Sequence, residues 1–258
     1  MKGFAIFRHS VRQLVGNIGP ALRSSAFLTA MLQLLGYLLD VQGDMARYAI
    51  MLGTFGSGVF PWKSVLPYFA FFLLSGCWIG VGWCRYVLME EQPGTVLPLF
   101  RPSRIVAYLV ALVVLILASV VGGFLLGILA GFVLGFLKAL NMMGETAAIV
   151  LFFVVILPVI LVFSLRLSLG LPAAAIGEKP SMTASWRATR GYGLAILVAS
   201  VLVILVIVLV ALPVGLVFQP LSAPAWIWQG VIGWVALMLG LSLSATVYGH
   251  CVQGRPLV

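Results

Sequence analysis

The chain has 258 residues, of which 63% are hydrophobic and only 8% charged, with a net charge of +9. Soluble domains carry about a quarter charged residues, so this composition excludes an ordinary soluble fold. Apolar runs of eighteen or more residues recur without strand-like alternation, which excludes a β-barrel and predicts an all-α, polytopic transmembrane bundle.

Residues 3–16 are expected to form an amphipathic interfacial helix, with Phe4, Phe7, Val11, Leu14 and Val15 on one face and Arg8 and Arg12 on the other. Lys2, Arg8 and Arg12 interrupt the apolar positions, so no signal-peptide core is expected there. Gly19-Pro20 breaks the helix, and the first span follows, about Ala21 to Leu39. It contains Gln33, an amide suited to bonding a neighbouring helix. Asp40 to Lys63 reads as a Gly-rich connector, with a short surface helix from Asp44 to Leu52.

The second span is predicted from about Leu66 to Leu88, with Gly76, Gly80 and Cys84 at four-residue spacing. Small residues at that spacing let helix backbones approach closely. Glu91-Gln92-Pro93 then turns the chain towards Arg101 and Arg104. The third run, 105–137, is read as one long helix because no polar turn divides it. Its Ser119, Gly123, Gly127, Gly131 and Gly135 make an unbroken small-residue ladder, a helix-packing stripe for this chain or for a partner.

The fourth span is placed at about Ala147 to Leu169, with Pro158 as a kink and Arg166 near its end. Leu171 to Gly177 is read as a connector to a second surface helix, Met182–Thr189. The fifth span runs from about Tyr192 to Leu212 and is ended by Pro213. The sixth, about Ala225 to Gly249, opens with Trp226, Trp228 and Trp234 as an interfacial belt.

Six spans place both termini on one side. That side collects twelve of the fifteen basic residues and three of the six acids, a net +9 against zero opposite. By the positive-inside rule this is the cytoplasmic face of a bacterial inner membrane, and it explains the basic balance without a nucleic-acid partner.

The motifs Phe7-Arg8-His9-Ser10-Val11-Arg12, Phe100-Arg101-Pro102-Ser103-Arg104 and Trp186-Arg187-Ala188-Thr189-Arg190 each precede a long apolar run. With the proline turns they suggest one membrane domain, 1–258, built from three hairpin units, 1–93, 94–180 and 181–258. The period rests on a few residues per copy, and shared interfacial chemistry explains it equally.

Arg8, Arg12, Arg85, Arg101, Arg104, Arg166, Arg187 and Arg190 are candidate contacts for anions or lipid headgroups, because a guanidinium donates two bonds to a phosphate. The plainer reading is that they anchor helix depth by snorkelling. Arg166, flanked by apolar residues, would need Glu178, Glu90 or Glu91 to neutralise it. No span carries a central acid, as ion-coupled carriers usually require. The cysteines Cys77, Cys84 and Cys251 lack metal-site spacing, and with only His9 and His250 no metal, cofactor or catalytic residue is expected.

The span order, the stretch Gly82-Trp83-Cys84-Arg85-Tyr86-Val87-Leu88 and the stretch Arg166-Leu167-Ser168-Leu169-Gly170-Leu171-Pro172-Ala173-Ala174-Ala175 are similar to those of an uncharacterised bacterial six-span inner-membrane family. This family resembles the membrane domain found with some glycerophosphodiester phosphodiesterases. The resemblance implies a membrane fold, and no catalytic residue carries over with it. The expected role is a non-enzymatic scaffold or assembly component that touches anionic headgroups and another membrane protein or a second copy. Beside it stand a permease for a small or amphipathic solute and an enzyme acting on lipid headgroups.

Overall fold

The computed structural model describes residues 2–139, 144, 146, 158–179, 182–219 and 222–257. Among these residues the regular structure is entirely helical. The elements are α1 (Lys2–Val15), α2 (Ile18–Leu38), α3 (Val41–Phe55), α4 (Trp62–Met89), α5 (Pro102–Ala139) and α6 (158–167). They continue with α7 (Gly170–Ile176), α8 (Met182–Ala188), α9 (Gly193–Leu216) and α10 (Ala223–Cys251).

Among the described residues five helical stretches are long and apolar enough to cross a membrane: α4, α5, 158–176, α9 and α10. A sixth arises only when α2 and α3 are taken together, and these two are bent by 51°. The first span expected from about Ala21 to Leu39 falls on α2, which meets that length and hydropathy only together with α3. The chain breaks at Leu39-Asp40, where Asp40 adopts a left-handed φ of 47°. What reads as a connector from Asp40 is mostly the helix α3.

The long run is one uninterrupted helix, α5, in accordance with its lack of a polar turn. The fourth span falls partly outside the described residues: 147–157 lie there, and so does the surrounding of the Pro158 kink. Beyond Pro158 the helix runs to Leu167, breaks at Ser168-Leu169 and resumes as α7. The expected connector at Leu171 to Gly177 is thus a helix, and it is buried: Leu171, Pro172, Ala173, Ala174 and Ala175 all lie inside. A run of small apolar residues suits a short helix wedged between longer ones. Pro213 does not end α9, which continues to Leu216. The start of α10 follows local rules, with Ser222 accepting from the Ala225 amide and Pro224 in the first turn.

The core lies where α4 and α10 meet, flanked by α2, α7 and α9. Trp83, Ile79 and Val81 of α4, Met238 of α10 and Ile196 of α9 are almost wholly enclosed. The N-terminal helix forms where expected, with Leu14 buried and Phe7 and Val11 packed against the core, but the face that packs most closely is shifted. Its buried face is Gly3, Ile6, Ser10 and Leu14, which packs on α9 and α10, while Phe4 and Val15 are exposed. The reason is local. A Cβ at Gly3 would come within 2.7 Å of the Ala195 oxygen, so only glycine permits this approach, and Ser10 is satisfied by its own helix through the Ile6 carbonyl at 2.9 Å. Arg8 and Arg12 remain exposed, as the amphipathic pattern requires.

The tryptophans that open α10 do more than mark a boundary. Trp226 Nε1 donates to the Gln33 carbonyl (3.3 Å), Trp228 Nε1 to the Val210 carbonyl (2.7 Å) and Trp234 Nε1 to Ser25 Oγ (2.7 Å). They tie α10 to α2 and α9.

Candidate functional site

Two regions concentrate polar chemistry, one at each end of the bundle. The first is the end that carries α1, the 90–101 turn, α7, α8 and the C-terminal tail. Here Arg85 is nearly enclosed and pairs with Glu91 at 2.6 Å, while donating to the Ala175 carbonyl at 3.2 Å. Arg101 donates to the other oxygen of Glu91, with Nε at 3.0 Å. Glu91 thus bridges α4 to the start of α5, and Arg85 extends the bridge to the last turn of α7. Partial burial pushes the Glu91 carboxyl up, but the bonds from Arg101 and Arg85 and their charges outweigh it and hold it below its ordinary value.

Arg104 also serves α7. Its guanidinium lies over Gly177, whose φ of 98° ends that helix; a Cβ there would sit 2.7 Å from Cζ. Glu178, next along, accepts a short hydrogen bond from the Tyr248 hydroxyl of α10. Arg255 of the tail folds back and donates to the Leu88 carbonyl (2.6 Å) and the Val87 carbonyl (3.2 Å), closing the end of α4. A cation there also complements the negative end of the helix dipole.

Arg166 departs from expectation. No carboxylate pairs with it among the described residues. Its guanidinium stacks 3.7 Å from the centre of the Trp186 ring, and its nitrogens donate to Thr189 Oγ1 and the Trp186 carbonyl, each at 2.9 Å. A planar, weakly hydrated cation is well suited to such a stack. The consequence is that α8 is pinned to α6.

The eight candidate arginines therefore divide. Arg85, Arg101 and Arg166 are engaged by side chains of this chain, and Arg104 packs against α7. Arg8, Arg12, Arg187 and Arg190 stand exposed on α1, on α8 and just beyond it. Lys2, poised 4.9 Å from the Tyr192 ring centre, ties the start of α1 to the residue that precedes α9.

The small-residue ladder on α5 is engaged at its first steps. Ser119 Oγ accepts from Ser164 Oγ at 2.9 Å, and Gly123 faces Ile160 at 3.4 Å. Gly122, outside the expected ladder, makes a tighter contact: a Cβ would come 2.9 Å from Phe163. At Gly127, Gly131 and Gly135 no described atom would lie within 4 Å of an added Cβ.

The second region was missed by sequence reasoning. Towards the α3 end, three cavities of about 520, 330 and 410 Å³ adjoin one another between α2, α3, α4 and α10 and reach α5 and α6. These volumes fall within the range of ligand sites. The outermost is bordered by Asp40, Arg47, Gln42 and Trp226. Arg47 pairs with Asp40 (2.7 Å) at this mouth and with Asp44 (2.6 Å) behind it, where Asp44 also accepts from Ser64 Oγ. The middle cavity shares Gln42 and Trp226 with it and adds Gln33, Gln229, Thr29 and Tyr68. The Gln42 amide donates a short bond to the Gln229 carbonyl.

The third cavity is apolar, bounded by Phe69, Leu112, Ile116, Leu165 and Leu241. It shares Phe72, Gly76 and Leu237 with the middle one. Gln33 as an amide within a span, Gly76 as a packing glycine, and Trp226 and Trp234 as belt residues are legible in the sequence, but none of those signals announces a cavity. The other amides, Gln42 and Gln229, are separated by 187 positions, and only the bend between α2 and α3 brings them together.

Among the described residues no group of three or more His, Cys, Asp or Glu side chains is placed to hold a metal. Comparison with family models, with curated proteins and with solved structures finds no match for this chain.

Proposed function

We propose that this protein is a non-enzymatic scaffold or assembly component of a bacterial inner membrane. In this reading the helices form six crossings arranged as three hairpins, with α2 and α3 together as one broken crossing. Both termini face the cytoplasm, where the basic residues collect. The similarity to the six-span family noted above is compatible with this role.

The division of the arginines carries the reading. Side chains that would serve as an anion clamp are committed to holding the fold: Arg85 and Arg101 to Glu91, and Arg166 to Trp186 and Thr189. Those left exposed, Arg8, Arg12, Arg187 and Arg190, lie on short amphipathic helices docked at one end, where they meet anionic headgroups without enclosing a substrate. The α5 stripe supplies a close-packing surface for this chain's own helices, a second copy or a partner.

The test is mass spectrometry of the protein isolated under mild native conditions. Another membrane protein in fixed ratio, or a homo-oligomer, is expected, together with anionic lipid that is lost in the fourfold variant R8E/R12E/R187E/R190E. A monomer free of other proteins, with the same lipid complement in the variant, overturns the reading. One observation favours a second reading, a permease for a small or amphipathic solute: the adjoining cavities that run from the α3 end to the middle of α4.

A further inference from the structure

We propose that the three adjoining cavities form a binding site for one zwitterionic phospholipid with a primary ammonium head. The head sits at the Asp40–Arg47 mouth, the backbone esters lie by the amides, and one acyl chain runs in the apolar slot between α4 and α10. The inference stands apart from the scaffold reading and gives the permease reading its ligand class.

Three observations carry it. The first is that the space is made by missing side chains. A Cβ at Gly76 of α4, or at Gly233 and Gly240 of α10, would meet nothing within 4 Å. All three glycines line these cavities. In a close-packed interior such gaps are uncommon, because lining atoms forfeit their contacts. Gly76 matters most, since it borders both the amide-lined and the apolar cavity and stands halfway along α4.

The second observation concerns polar groups that lack a protein partner. The Gln33 side-chain amide and the Tyr68 hydroxyl both line the middle cavity. Among the described residues no group hydrogen-bonds either one. Both side chains are only partly buried and open onto the cavity, so their N–H and O–H groups are available to donate to a ligand's ester and phosphate oxygens. Gln33 is held in place by its own packing: Gly230 lies beneath it, where a Cβ would come 2.9 Å from Gln33 Cγ.

The third is the polarity order along the site. Charges stand at the mouth, neutral amides and a phenol follow, and hydrocarbon closes the far end. That is the order of groups along a phospholipid. The mouth is lined by the Asp40 carboxylate beside the Arg47 guanidinium, one partner for each charge of a head that carries both an ammonium and a phosphate, whereas a head that is only anionic brings no ammonium to Asp40. This separates the site from the basic surface at the opposite end.

The test uses purified full-length protein, stripped of lipid and titrated with phosphatidylethanolamine or phosphatidylglycerol of identical chains, with bound lipid counted by native mass spectrometry. One phosphatidylethanolamine per chain is expected, bound about tenfold more tightly than phosphatidylglycerol. Gly76→Leu fills the neck and is expected to abolish that binding, whereas Gly76→Ala, whose Cβ meets nothing, retains it. Gln33→Leu keeps the fold without the amide and is expected to weaken binding about tenfold, which covers the case of a misfolded Gly76→Leu. Equal or tighter phosphatidylglycerol binding overturns the assignment of the head. No bound lipid, or binding unchanged in both Gly76→Leu and Gln33→Leu, overturns the site. Because the measurement reads lipid binding alone, its failure leaves the co-purification result for the scaffold reading intact.

Discussion

Trp83 of α4 donates its indole N–H to Ser242 Oγ of α10 at 3.0 Å, and both side chains are completely enclosed. This bond joins the two helices on which the rest of the bundle packs. Ser242→Ala leaves the indole N–H without a partner in an apolar interior. The expected loss is about 1 kcal/mol, since interhelical bonds in membranes average somewhat less and an unsatisfied buried donor costs somewhat more. Chemical unfolding in detergent micelles measures it. Ser242→Thr, which keeps the hydroxyl, is expected to lie closer to the parent than Ser242→Ala does.

Glu91 gives the bundle a pH dependence. Its carboxyl titrates below its ordinary value of 4.5 in the folded protein, so the unfolded chain takes up the proton first as pH falls. Its contribution is complete above about 4.5 and is lost as pH drops through the lower folded value. Glu91→Gln removes that contribution. At neutral pH the variant is expected to unfold at lower temperature, by an amount equivalent to about 1 kcal/mol, because Arg101 is partly exposed and water screens its share. At pH values below the folded pKa the two melting curves are expected to converge. A constant gap across the whole range would show that Glu91 acts by shape instead of charge.

The apolar runs made the helical membrane class and the continuity of α5 legible, because span length is a local property. The faces of the helices were less so. In α1 the apolar face of Phe7, Val11 and Leu14 does reach the core, but the closest approach to α9 and α10 is made by Gly3 and Ser10. Their small size is what allows that approach, and a hydrophobicity pattern scores them as neutral. The same bias hid α7, where Leu171 to Gly177 reads as a connector although the segment is a buried helix. Arg166 was expected beside a carboxylate because unpaired charge in a span is costly. An indole ring and a threonine hydroxyl meet that need, and nothing in the spacing of Trp186 announces it. The cavities depend on which glycines have neighbours, and glycines at regular spacing look alike until the helices are packed.

That contrast among glycines makes a direct prediction. At Gly3 an added methyl would stand 2.7 Å from the Ala195 carbonyl oxygen and 2.8 Å from Val198 Cβ. Backbone cannot yield there, so Gly3→Ala is expected to push α1 from α9 and to cost about 1–3 kcal/mol. At Gly53, inside α3, an added methyl meets nothing within 4 Å. Gly53→Ala should therefore stabilise by about 0.5–1 kcal/mol through the lower entropy of the unfolded chain. Melting curves of the two variants should move in opposite directions, and Gly3→Ala should also raise amide exchange along α1.

Arg166 sets how firmly α8 is held. The stack on Trp186 and the two hydrogen bonds depend on a planar guanidinium with donors on separate nitrogens. Lysine offers the same charge but neither the plane nor the fork, so Arg166→Lys should behave as a loss and not as a conservative change. Cation–π contacts contribute about 0.5–2 kcal/mol depending on how dry they are. The loss should be confined to the α8 segment, because both hydrogen bonds and the ring contact of Arg166 go to Trp186 and Thr189. Hydrogen exchange is expected to quicken over residues 182–190 with little change in α4 or α10. Trp186→Phe keeps a weaker ring and should fall between the parent and Arg166→Lys. Uniform acceleration across the bundle would instead place Arg166 in the global core and refute its role as a local clasp.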